Sequence, residues 1–230
     1  MTRTIDAIVE EQAHRWQLRR EERKSESHRP VITVSRLHGA RGGEVAKTVA
    51  GELGLDFFDR EIIQRVAEST HLSERVVASL EKDREALTDW LASIATRNYL
   101  SPVEFRYHLS RVVGAVAQHG GAVILGRAAH LVLGPGGALR VLVVAPLEER
   151  VRTIALRDGV DEREARRRIV SVEADRKAFL MKHFHADFAD PSTFDLVVNT
   201  TVLGVTGACA AIRTAVEVVP ARPVVEPVAR

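Results

Sequence analysis

The period of apolar positions changes repeatedly along the chain, and those changes outline its elements. Val31–Ser35, read Val-Ile-Thr-Val-Ser, is a short β-branched run of the kind that forms a strand. Gly43–Leu53 carries apolar residues at helical spacing, and Gly54 can end that helix in a left-handed conformation. Leu55–Phe58 reads as a second short strand. Helices are predicted over Arg60–Ala67, over Ser73–Glu81 with Ser73 as N-cap, over Ala86–Arg97 with Trp90 exposed, and over Pro102–His119, closed by Gly120-Gly121. Ala122–Leu125 and Leu139–Val144 are continuous apolar runs, as expected of strands covered on both faces. Leu147–Arg157 and the arginine-rich Glu162–His183 read as helices, Phe194–Val198 as a last strand and Gly204–Val218 as a last helix. Strands alternating with helices predict an α/β fold with a three-layer, five-stranded, mostly parallel sheet over residues 30–218.

The ends of the chain have a different texture. In residues 1–29, Ile5, Ile8, Val9, Ala13 and Trp16 make one apolar stripe at helical spacing, followed by a polar stretch to His28. The stripe suits packing on the domain or on a second copy, so a homodimer through this helix is an expected partnership. Arg19, Arg20, Arg23 and Lys24 alternate with Glu21, Glu22 and Glu26, which argues against nucleic acid. Residues 219–230 hold three prolines and are expected to form an extended tail.

Composition narrows the classes. At 230 residues, 45% hydrophobic and 28% charged, the chain can bury a core without disulfides or metal. Its 33 basic and 31 acidic side chains give a net charge of +2, too little to favour a bulk polyanion. The one cysteine, Cys209, excludes an intrachain disulfide framework and a cysteine zinc site. No apolar run reaches the ~20 residues of a membrane span, and the N-terminus is charged, so a cytoplasmic protein is expected.

Ligands of parallel sheets sit at the carboxyl ends of the strands. After the first strand come Ser35, Arg36 and a loop of Gly39, Ala40, Arg41, Gly42, Gly43 and Glu44 that opens into a helix. Strand, glycine loop and helix N-terminus together can capture phosphate through backbone N–H groups and the helix dipole. On the template G-x-x-x-x-G-K-[ST], however, Arg36 stands at the first Gly, Arg41 at the second and Gly42 where Lys is expected. The second strand ends in Asp59-Arg60-Glu61, the third in Gly126-Arg127 and the last in Asn199-Thr200-Thr201. Arginine at three strand ends favours a ligand with several phosphates, because its fork matches phosphate oxygens in two-point contacts. Singly, each has a plainer reading: Arg127 could pair with a carboxylate, and Asp59 could cap a helix. Their convergence is the argument.

In the arginine-rich helix, Glu162 with Arg166 and Glu164 with Arg168 are spaced for ordinary surface pairs. Glu173 and Arg176 differ, since Arg176 lies beside Phe179-Leu180-Met181 and can face inward, making residues 158–190 a lid over phosphates. His183 and His185 diverge on a helix, and with the distant His38 they make a poor metal cage.

The chain resembles the cytidylate kinase-like family of the P-loop nucleoside monophosphate kinases over about residues 30–218. The resemblance rests on Ser35-Arg36-x-x-Gly39-x-x-Gly42-Gly43, Ala46-Lys47, Leu53-Gly54-Leu55, Asp59-Arg60-Glu61-Ile62-Ile63, Leu125-Gly126-Arg127, Ala145-Pro146-Leu147-Glu148-Glu149-Arg150 and Phe194-Asp195-Leu196-Val197-Val198-Asn199-Thr200. It implies a phosphotransferase that uses ATP and Mg2+ on a nucleoside monophosphate or similar small acceptor. Ser35 through Glu44 would bind donor phosphates, and Asp59, Arg60 and Arg127 the acceptor. Arg41, Arg127 and Arg176 would be catalytic, and Glu44 and Asp59 would hold the metal. Three departures stand against true cytidylate kinases: Gly42 replaces the phosphate-binding Lys, Glu44 a magnesium-holding hydroxyl, and Ala128 an acidic residue. They keep open a nucleotide-binding regulator without catalysis and, beyond it, a purely structural subunit.

Overall fold

The computed structural model describes residues 29–59, 102–188 and 190–219. The N-terminal extension to residue 28, the tail from residue 220, Arg60 and the helices expected over 60–67, 73–81 and 86–97 lie outside the described residues.

Five strands alternate with helices: β1 (Val31–Arg36), α1 (Gly42–Glu52), β2 (Asp56–Phe58), α2 (Pro102–His119), β3 (Ala122–Leu125), α3 (Ala129–Leu133), β4 (Leu139–Val144), α4 (Leu147–Asp158), α5 (Glu162–Phe184), β5 (Leu196–Asn199) and α6 (Thr200–Val218). The sheet order is β2-β3-β1-β4-β5, and all four pairings are parallel. β1 therefore sits at the centre, with Val34 opposite both Leu125 of β3 and Val141 of β4.

Both faces of the sheet are covered, which is why its strands read as continuous apolar runs. On one face Ile32, Val34, Val123, Val141 and Val143 pack with Val45 and Val49 of α1 and with Ala208, Cys209 and Ile212 of α6. On the other, Phe58 and Ile124 pack with Leu109, Val112, Val113 and Val116 of α2 and with Ala129 and Leu133 of α3. α4 and α5 join through a smaller core of Val151, Ile154, Ala165 and Ile169.

Several expectations need correcting. The last strand begins at Leu196 rather than Phe194, because Pro191–Thr193 forms a 3-10 turn capped by Asp190, with Phe194 closing it. α3, at five residues, is too short to leave a periodic signal and was not expected. The last helix starts at Thr200, where Asn199 accepts from the Thr201 N–H at 2.9 Å, and breaks at Gly204, which has φ 61° and ψ −167°. α6 is long and apolar enough in composition to cross a membrane, contrary to the sequence reading. Yet the break leaves a continuous helix shorter than a span needs, and Ala208, Cys209 and Ile212 are buried in the core.

Arg140 at the start of β4 is locked to Asp195 just before β5. Its Nη2 donates to Oδ1 at 2.5 Å, its Nε to Oδ2 at 3.0 Å and its backbone N–H to Oδ2 at 2.9 Å. These bonds hold the Asp195 carboxyl below its ordinary pKa. Asp195→Ala would leave a largely buried guanidinium alone, and is expected to cost about 3 kcal/mol in urea unfolding at pH 7. Because the folded pKa is depressed, the wild-type advantage is complete above the ordinary aspartate value of about 3.9 and disappears as pH falls through the folded value. An undiminished advantage at pH 2 would contradict the assignment.

Candidate active site at the carboxyl edge of the sheet

The chain leaves β1 through a tight loop. Leu37 donates its N–H to Val143 O at 3.0 Å, and Ala40 donates back to Leu37 O at 3.2 Å. Gly39 has φ +86°, and a Cβ there would lie 2.7 Å from Arg150 O, so the loop needs glycine for both conformation and space. Arg41 is the N-cap of α1 in left-handed geometry, φ 58°, and no side chain caps the helix. The amides of the first turn thus open toward the rim, as an anion requires.

The loop is clasped from two sides. Thr200 Oγ1 donates to Ala40 O at 3.1 Å. Buried Arg150 donates from Nε to Ala145 O at 3.0 Å and from Nη1 to His38 O at 3.2 Å, and pairs with Glu173 Oε1 at 2.6 Å. The same Oε1 accepts the His38 N–H at 3.2 Å. Glu173 belongs to α5, so the covering helix is already tied to the loop.

Beside it, β3 ends in three successive left-handed residues, Gly126, Arg127 and Ala128, at φ 82°, 52° and 54°. Such conformations cost about 1 kcal/mol or more for a residue with a Cβ and are kept where surrounding structure enforces them. Here Gly126 N–H donates to Val34 O at 3.0 Å, tying the turn to the end of β1.

Between this turn, the end of β1 and α5 lies a cavity of about 320 Å³. Arg36, Arg127 and Arg176 line it together with Asp175, Ser35 and His130, while Val172, Phe179, Leu180 and Phe188 supply an apolar wall. The Arg127 guanidinium stands 5.2 Å from the centre of the Phe179 ring, and that of Arg176 5.8 Å from Phe188. Arg176 Nη1 also donates to Arg36 O at 2.8 Å. His130 is 3% exposed, approaches Ser35 Oγ with Nδ1 at 3.3 Å and stacks on Phe194 with ring centres 4.5 Å apart. Burial, assisted by Arg140, pushes its pKa down to about 4. His38 is likewise lowered to about 4, by burial and then by Arg176 and Arg157. Both imidazoles are therefore neutral at pH 7.

Of the residues expected at a site, Ser35, Arg36, Arg127 and Arg176 meet at this cavity. Gly39, Ala40, Gly42 and Gly43 form the adjoining loop and helix start. Arg41 is not among the cavity's lining residues: its Nη2 pairs with Glu44 Oε2 at 2.7 Å on the exposed side of α1. That bond raises the Arg41 pKa and lowers that of Glu44. Counted from Arg36, the template's hydroxyl position is Gly43, and Glu44 falls one residue beyond it. Asp59 directly follows β2, beyond β3 from the loop, and does not line the cavity. Among the described residues no group of three His, Cys, Asp or Glu side chains could hold a metal ion.

Other corrections concern α5. Arg166 pairs with Glu148 at 2.6 Å rather than with Glu162, while Glu164 takes both Arg167 and Arg168. His183 packs against Phe105 and Phe179, ring centres 5.4 and 4.9 Å away. Sequence reasoning missed His130, Asp175, Phe179 and Phe188 as cavity residues. Only Arg176 beside an apolar cluster hinted at which face of α5 turns inward.

A five-stranded parallel sheet with a glycine loop at its central strand and an arginine at the neighbouring turn defines an α/β domain of the P-loop kinase type. Residues 31–202 match the model of the cytidylate kinase-like family, and the chain belongs to that family. The cytidylate kinase of Ignicoccus hospitalis is 33% identical over 175 residues, covering 76% of this chain and 91% of that protein. That of Aeropyrum pernix is 28% identical over 172 residues, covering 75% and 90%. The fold is also that of an uncharacterized protein from Eubacterium ventriosum, with TM-score 0.58 and 17% identity over 83% of this chain and 99% of the other.

The buried histidine gives a test of the site's packing. With its folded pKa lowered to about 4 from 6.5, His130 leaves stability untouched above pH 6.5 and erodes it as pH falls toward 4. The loss is expected to reach on the order of 3 kcal/mol. His130→Asn should flatten that fall in urea unfolding measured from pH 7 to 4. An imidazole titrating near 6.5 by NMR would show that it is not buried in this way.

Proposed function

We propose that the protein transfers a phosphoryl group from ATP to a nucleoside monophosphate or similarly small phosphorylated acceptor. The observation that carries this reading is the meeting of Arg36, Arg127 and Arg176 at one cavity beside an uncapped helix N-terminus. Two anionic groups must be brought together in such a reaction, and positioning with charge stabilisation does most of the work.

The amides from Gly39 to Glu44 would hold the donor phosphates, aided by the positive end of α1. Arg127, presented by the left-handed turn, would fix the acceptor phosphate. An acceptor oxygen then attacks the terminal phosphorus, and the bond to the bridging oxygen breaks, that oxygen keeping the electron pair as ADP leaves. Arg176, reaching in from α5, would meet the charge on the moving group. α5 with Phe179 and Phe188 would exclude water that could otherwise take the phosphoryl group. An ion accompanying ATP would be held by the donor phosphates with at most one or two carboxylates, and among the described residues no three-ligand cage competes with that arrangement. Of the two carboxylates expected for that part, Glu44 stands in the first turn of α1 next to the loop and would be the nearer, while Asp59 lies beyond β3 and outside the cavity; the ion would neutralise phosphate charge.

Arg127→Ala and Arg176→Ala should each lower turnover by ~10²-fold or more, as loss of a preorganised transition-state donor does, with melting temperature little changed. The measurement is ADP release with ATP, magnesium and a panel of nucleoside monophosphates. Wild-type rates in both variants would refute the roles given to them. Nucleotide binding without ADP release from the wild type, across the whole panel, would mark a regulator instead.

A further inference from the structure

We infer that Arg36 is the cation shared by the donor and acceptor phosphates, and that Gly42 is a glycine because the root of the Arg36 side chain fills the space beside it. The inference rests on the phosphotransferase reading for the transfer step, but not for phosphate binding.

Arg36 is the last residue of the central strand. Its stem lies against the start of α1: a Cβ on Gly42 would fall 2.5 Å from Arg36 Cβ and 3.0 Å from Cγ. Those are atoms at the root of the side chain, which cannot swing away as a flexible tip can. Any side chain at position 42 therefore collides with Arg36, and a lysine there is excluded on steric grounds alone. The other end of Arg36 reaches the turn after β3, where a Cβ on Gly126 would fall 2.5 Å from Nη1. The side chain thus runs from the phosphate-loop helix to the residue preceding Arg127, and it lines the cavity between them.

This position explains the missing lysine. The template places an ammonium at residue 42, projecting from the helix. Here the positive charge arrives from the strand side instead, and the lysine position is reduced to glycine to admit it. A guanidinium has five donors in a fixed fork and can serve two phosphates at once, which a single ammonium does less well. Arg41 lies elsewhere, on the exposed side of the helix beside Glu44, and does not line the cavity. The Arg36 backbone takes part as well, since its carbonyl receives Arg176 Nη1 at 2.8 Å and so fixes where the covering helix lands.

The test uses the full chain carrying Arg36→Ala, Arg36→Lys, Arg41→Ala, Gly42→Lys, and Arg36→Gly combined with Gly42→Lys. Calorimetry with tripolyphosphate reads phosphate binding without a base or sugar, ADP release reads transfer, and melting temperature reads folding. Arg36→Ala should weaken tripolyphosphate binding about 10-fold or more, as loss of a charged hydrogen bond does, and lower kcat ~10²-fold. Arg36→Lys should retain binding better than it retains kcat. Gly42→Lys alone should lower the melting temperature and binding together. In the double variant the Cβ at position 36 is gone, so the space beside residue 42 accepts lysine, and tripolyphosphate affinity should rise well above that of Arg36→Ala. Affinity and kcat unchanged in Arg36→Ala, or a larger loss in Arg41→Ala than in Arg36→Ala, would overturn the assignment. A double variant no better than Arg36→Ala would overturn the steric exchange. Should the wild type bind tripolyphosphate but release no ADP, the phosphotransferase reading falls, and the binding series alone still decides whether Arg36 is the phosphate cation. If Arg36→Ala does not fold, the comparison of Arg36→Lys with the double variant decides it.

Discussion

The hydrogen-bonded ladder between β1 and β3 is the constraint on which the site depends. The chain runs from β1 through α1 to β2, two places out, and β3 then fills the gap beside β1. Val34 stands opposite Leu125, so the residues that follow, Ser35-Arg36 at the end of β1 and Gly126-Arg127 in the turn after β3, emerge side by side. Neither arginine could be placed by its own helix or loop with comparable precision. Parallel pairing puts both carboxyl ends on the same rim, and burial of both faces fixes their height.

Much of this was legible in the sequence, for a physical reason. Strands covered on both faces must be apolar throughout, so Ala122–Leu125 and Leu139–Val144 announced themselves, and what followed each run had to lie at the rim. Phe194 misled because its apolar character answers to the His130 ring it stacks on, not to a ladder. Arg41 misled differently. It is close in sequence to the loop, but the left-handed cap turns its side chain toward Glu44, one helical turn on. His130 and Phe188 carried no local signal, since they reach the cavity only through the placement of α3 and of the chain after α5 in three dimensions.

The charges of the covering helix divide by exposure. Arg166, Arg167 and Arg168 are neutralised by Glu148, Glu164 and Asp158 on the solvent face, where water and salt screen each pair and leave it little net effect on stability. A few turns on, the same helix directs Glu173 and Arg176 inward, one to the loop N–H of His38 and the other to the Arg36 carbonyl. The basic character of the segment is thus mostly solubility, while Glu173 and Arg176 bond the helix to the loop and Val172, Phe179 and Leu180 wall the cavity. Loop and cover are one assembly before any ligand arrives, so closing them requires little rearrangement of the loop itself.

Cys209 gives the molecule a built-in reporter. The chain's single thiol is 1% exposed, sits on α6 with Sγ 3.7 Å from Val45 O of α1, and has its pKa raised by burial. A thiol so enclosed is neither ionised nor reachable in the folded molecule. An alkylating reagent would therefore modify only molecules in which α6 has lifted from α1, and the labelling rate would count those opening events without any engineered probe.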